Sequence, residues 1–176
     1  MSEPSAGPRF SLVVATWGVV GVALLLTQAV VRLTPIALEP IRLGALSTFQ
    51  ALVYVAWVGV SLYSEGYRGF QKAFVPRTVA RAFYLARAKP SWLSFAAPLF
   101  CMGLVHARPR RLITSWTIVV LITCAVVAVR HLPSPWRGVV DGGVVVGLLY
   151  GLISLAIVFT RALRGRVPSH PLDLPH

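Results

Sequence analysis

Asparagine is absent from all 176 residues of this chain, and there are only five acids, two lysines and two cysteines. Without asparagine there is no N-glycosylation sequon. Cys101 and Cys124 each sit inside an apolar stretch. Two such thiols build neither a disulfide framework nor a Cys/His metal site, so both are expected to be buried and inert. No phosphate-cradling glycine loop and no nucleophile elbow is present. The charged fraction is 12%, against about 25% in soluble domains, which leaves no water-soluble domain to find.

What fills the chain instead is apolar sequence. Four runs, 11–31, 43–64, 112–129 and 138–160, contain no Lys, Arg or Glu, and Asp141 is the one charge within them. A helix needs about 20 apolar residues to cross a hydrocarbon core of about 30 Å. The expected fold is therefore an all-α, polytopic membrane bundle of four transmembrane helices, with an extra short re-entrant or interfacial helix. The alternative is five crossings. The first run is too long for the h-region of a cleaved signal and reads as an uncleaved span. Residues 1–10 and 161–176 read as disordered tails flanking a bundle over 11–160, and the segment 65–111 reads as a cytoplasmic amphipathic and re-entrant region.

The net charge of +12 belongs to loops at a membrane surface, where basic residues mark the cytoplasmic side and anionic headgroups supply the counter-charge. No aromatic and basic platform of the kind that binds single strands lies outside the apolar runs, so nucleic acid is excluded as a partner. Arginine outnumbers lysine fifteen to two, a bias that points to a GC-rich bacterial genome and hence a bacterial inner membrane.

Between the runs, Arg32–Arg42 reads as a loop because it carries Pro35 and Pro40. Tyr63, Tyr67, Phe70 and Phe74 share one face at helical spacing, with Arg68 and Lys72 opposite, and Pro76 is expected to end that helix. A second amphipathic helix over 77–89 puts Val79, Ala82, Phe83 and Ala86 on one stripe and Arg77, Arg81 and Tyr84 on the other. The segment 92–107 is apolar all round but spans only about 24 Å as a helix, and Pro98 interrupts it. If it returns to its own side, the basic residues divide thirteen to four between the two faces. If it crosses, the division is nearly even. The positive-inside rule selects the first arrangement, with both termini cytoplasmic.

Several constellations are candidates for function. Gly143, Gly147 and Gly151 recur every four residues, with Ser154 on the same face, a spacing that lets helix backbones approach in lipid. The partner helix lies either in the same chain or in a second copy. Arg77, Arg81, Arg108, Arg110 and Arg111 form a basic belt suited to anionic lipid. Glu65, His106 and Asp141 are the candidate polar sites. Glu65 is read as a general base, a cation ligand or one half of an ion pair with an arginine. Asp141 lies in the first turn of its helix, four residues after Arg137, where an anchoring ion pair competes with an ion-pathway role. His106 and His131 are separated by nearly 40 Å along one helix, about 1.5 Å per residue, which excludes a bis-His haem. No titratable residue reaches a span centre, which argues against a proton-coupled carrier.

Metal and cofactor are expected to be absent. The leading functional expectation is a non-enzymatic structural, assembly or accessory component that touches membrane lipids and another membrane protein or a second copy of itself. The alternatives are a headgroup-binding protein or embedded enzyme with its site on the cytoplasmic side, and a small transporter subunit.

Overall fold

The computed structural model of the chain describes residues 8–88 and 92–174. Its regular structure is entirely helical, with no strand among the described residues. In order the elements are α1 (Pro8–Arg42), α2 (Thr48–Ser61), a π-helical segment (Leu62–Phe74), α3 (Val75–Arg87), α4 (Trp92–Phe95), α5 (Ala97–Met102), α6 (Pro109–Arg130) and α7 (Trp136–Leu163). Three helices are long and apolar enough to cross a membrane: Leu12–Arg42, Pro109–Arg130 and Trp136–Leu163.

The expected loop over Arg32–Arg42 is instead the last third of α1, which runs through both prolines. An interior proline removes one intrahelical bond and crowds the preceding turn, but apolar helices absorb this when other groups take up the freed backbone. The carbonyls that lose their donors are Val31 O and Ile36 O, four residues before each proline. The stop signal is Gly44. It adopts a φ of +60°, which glycine reaches without a Cβ penalty. Gly44 N–H bonds Ile41 O and Ala45 N–H bonds Pro40 O, the two-bond closure that satisfies a helix end. The same closure ends α5 at Gly103 and α7 at Gly165. α2 therefore begins at Thr48 rather than at 43. A reciprocal cap fixes its start, with Ser47 Oγ accepting from Gln50 N–H and Gln50 Oε1 accepting from Ser47 N–H.

α2 is only 14 residues long as an α-helix. The helical backbone then continues in π form for 13 residues. Pro76 does not end a helix; it stands near the start of α3, directly after the π-segment. The segment 92–107 holds two helices of four and six residues, neither long enough to span a bilayer. Pro8–Phe10 are already helical, and residues 1–7 lie outside the described residues. The described tail residues after Leu163 form no further helix, and Leu172 O and Asp173 O accept hydrogen bonds from Arg81 and Arg108.

The chain packs as two compact units. One comprises the described residues through Leu24 together with 74–116 and those from 155 onward. Its core is Ala15, Val19, Val22, Val75, Val79, Ala97, Phe100 and Leu155, all buried. Cys101 is buried in it, and burial pushes its thiol up to about 12, opposed by Arg81. The other unit comprises 25–73 and 117–154. Its centre is Val30, Ala37 and Val145, with Leu33, Leu148 and Leu152 packed around them.

Candidate functional site

Two arrangements, one in each unit, bring together residues singled out by sequence. In the unit formed by 25–73 and 117–154, the small-residue face of α7 lies against α2 and the π-segment of the same chain. A Cβ built on Gly143 would fall 2.5 Å from both Ser61 Oγ and Trp57 Nε1. One on Gly147 would fall 2.9 Å from Glu65 Oε2, and one on Gly151 2.6 Å from the Phe70 ring. Ser154 is buried. Of the two partners left open by the spacing, these glycines meet the one in their own chain.

The register explains the π-helix in part. Gly143, Gly147 and Gly151 advance by four, while their partners Ser61, Glu65 and Phe70 advance by four and then five. A step of five is the repeat of an i→i+5 helix. It turns Phe70 inward, away from the face it was expected to share with Tyr63 and Tyr67. Those two rings stack at 5.9 Å, and Lys72 Nζ lies 4.5 Å over the Tyr67 ring. Polar ties complete the contact: Trp57 Nε1 donates to Val140 O at 3.3 Å, and Tyr150 O–H donates to Gln71 Oε1.

Along this contact two polar groups are unspent. Thr34, Ser64, Thr114, Thr123 and Thr160 each donate to the carbonyl four residues back. Ser61, only 1% exposed, does not, and its Oγ has no partner. One turn on, the half-buried Glu65 carboxylate has no hydrogen-bond or ion-pair partner among the described residues. The ion pair that sequence offered for Glu65 is not formed there. Asp141 meets Arg137 as the four-residue spacing offers, but it stands in the second turn of α7 and not in the first, which holds no acid. It is 6% exposed, and its Oδ2 lies 3.8 Å from Arg137 Nε on the preceding turn.

The other unit contains the arginines. The spacing predicts Arg81 on a polar stripe and in the lipid-facing belt, but it is buried, at 3% exposure. The buried positions of α3 include Val75, Thr78, Val79, Ala82 and Leu85, a helical face broad enough to take Arg81 with it. Its Nε donates to Phe100 O at 2.7 Å, Nη2 to Val105 O and His106 O at 3.2 Å each, and Nη1 to Leu172 O. The guanidinium also lies 4.1 Å over the Phe100 ring. Burial lowers its pKa to about 10, with Arg111 lowering and Cys101 and Asp173 raising it. It therefore remains a cation at neutral pH, spent on the loop 100–106.

Around it stand the other basic residues. Arg77 is held down by burial and by Arg111, and raised by Asp173. Arg111 Nε lies 3.2 Å from where a Cβ on Gly103 would be. Arg108 N–H donates to Asp173 O at 2.8 Å, and its Nε to Leu174 O at 3.2 Å. Arg110 is exposed. His106 adopts a φ of +49°, and its ring packs on Phe100 at 6.4 Å. Glu65 belongs to the other unit. No group of three His, Cys, Asp or Glu that could hold a metal occurs among the described residues.

Sequence reasoning missed Ser61 and Asp173. Ser61 stands one helical turn before Glu65, the only cue available. Asp173 is the lone acid in an otherwise basic tail, a cue that the expectation of disorder set aside. Compared with known proteins, the chain matches no family model, no curated protein and no solved structure.

Proposed function

We propose that this protein is a small, non-enzymatic, four-crossing protein of a bacterial plasma membrane, with both ends cytoplasmic, that works by contact with lipids and with another membrane helix. The fourth crossing is α2 continued by the π-segment, which together run from Thr48 to Phe74. The observation that carries this reading is α6. It is 22 residues long, apolar, and buries a single side chain, Ser115. Lipid is as apolar as leucine, so nothing drives such a helix into its own bundle without close-fitting small residues. α6 is left facing outward on nearly its whole circumference, where lipid or a partner helix covers it.

A photo-crosslinker at Leu121, activated in intact membranes, tests this. A discrete protein adduct is the expected result, and lipid adducts alone would remove the partner from the proposal. Topology is tested separately by reporters fused to each end. Both should be active only in the cytoplasm, and a periplasmic C-terminus would overturn four crossings.

A second reading rests on Ser61 and Glu65. A buried hydroxyl and a carboxylate, unpartnered and one turn apart, form the kind of polar pair that marks ion or proton sites in membrane helices. Dicyclohexylcarbodiimide, which attacks protonated carboxyls, should label Glu65 at neutral pH if that reading is right. Absence of labelling would leave the assembly reading alone.

A further inference from the structure

We propose that Leu172–Leu174 is a built-in competitor for a phosphate-bearing lipid headgroup at the cluster of Arg77, Arg108 and Arg111, and that an anionic lipid displaces it. This rests on the lipid-contact reading above and adds to it a named site and a means of control.

The geometry points this way for three reasons. First, three consecutive carbonyls of the tail turn toward arginines. Leu172 O accepts from Arg81, Asp173 O from the Arg108 N–H, and Leu174 O from Arg108 Nε. Second, the backbone bends to present them. Asp173 takes a φ of +49°, in the left-handed region that few side chains tolerate and aspartate tolerates better than most. Third, among the described residues the tail brings the Asp173 carboxylate into the neighbourhood of Arg77, Arg81 and Arg111.

A row of carbonyl oxygens and a single carboxylate is a partial imitation of a phosphodiester. Guanidinium forks match phosphate oxygens better, because phosphate offers more acceptors on one centre and carries its charge on them. The cluster also lies at the start of α6, since Arg108 precedes Pro109, the first residue of the helix, and Arg111 is in its first turn. That is the level at which a membrane helix passes through headgroups. Arg81 is not part of the exchangeable site. Three of its four bonds go to the loop 100–106 and would remain when the tail leaves.

The test uses the full chain in neutral detergent, with phosphatidylglycerol, phosphatidylcholine and inorganic phosphate as probes. Native mass spectrometry reads retained lipid, and amide hydrogen exchange reads the segment 164–174. Phosphatidylglycerol should be retained and should speed exchange in the tail about tenfold, while phosphatidylcholine should do neither. Asp173→Ala should raise retention several-fold, and the double change Arg77→Gln with Arg111→Gln should lower it. If phosphatidylglycerol is retained with no change in tail exchange and no effect of Asp173→Ala, the competitor idea is wrong while the basic belt stands. If no variant retains it, the lipid-contact reading itself fails. If inorganic phosphate releases the tail as well as the lipid does, the site is a general phosphate site and the lipid assignment is overturned.

Discussion

α6 and α7 are both long, both apolar and joined by a short turn, yet 39% of the apolar window of α7 is buried and 6% of that of α6. The difference lies in side-chain size. α7 carries Gly138, Gly142, Gly143, Gly147 and Gly151, and each has a neighbour where its Cβ would stand. α6 has no glycine. In water both helices would be driven inward by their surfaces. In lipid that drive is missing, and only the helix whose backbone can be approached closely acquires partners. Hydropathy therefore places a helix in the membrane, and small residues decide whether it packs there.

The comparison can be broken most directly at Gly147. Gly147→Leu puts a branched side chain where even a Cβ stands 2.9 Å from Glu65 Oε2. A loss of about 3 kcal/mol is expected, read as a lower midpoint of thermal unfolding in detergent. An unchanged midpoint would mean that the glycine face does not hold the unit together. Asp141→Asn should cost less, about 0.2–0.5 kcal/mol, because the amide keeps its hydrogen-bonding capacity and loses only its charge beside Arg137, one turn earlier. If that change abolished function in a stable protein while Gly147→Leu were silent, the acid would be a working group and the transporter reading would lead.

Smaller effects sharpen the contrast. Ser61→Ala removes a buried hydroxyl that bonds nothing. It should be neutral or slightly stabilising, by up to about 1 kcal/mol, whereas Ser154→Ala provides a nearby buried serine for calibration. A clear loss from Ser61→Ala would show that the hydroxyl has a partner in the membrane. Smallest of all should be Ala128→Leu on α6, which adds apolar atoms to an exposed position. Circular dichroism melts should match the parent. A loss comparable with that of Gly147→Leu would mean that α6 is packed against something that co-purifies.

Much of this was legible in the residues. The extents of α6 and α7 follow the apolar runs, because composition is the signal that hydrocarbon reads. The glycine face of α7 and the Arg137–Asp141 pair follow from helical spacing. Three features were hidden. The length of α1 was masked by Pro35 and Pro40, which ordinarily signal a turn, while the operative stop was Gly44. The π-segment was invisible because the alphabet that favours it is the α-helical one, and its register is set by what Glu65 and Phe70 meet on α7. The prolines of the tail predict disorder, and nothing local announces that Leu172, Asp173 and Leu174 will find arginines more than sixty residues away. The burial of Arg81 was hidden for the same reason, since its carbonyl partners come from distant loops.

The two thiols give the chain a reporter of its own. Cys101 lies in the core of its unit with a pKa raised to about 12, and only the thiolate is a competent nucleophile. Cys124 is exposed on the outward helix. A spin label or lipid-soluble maleimide applied to the unaltered protein will therefore attach at one place, on the surface whose neighbours matter most. The separation between two such labels, or its absence, can be measured without changing a single residue.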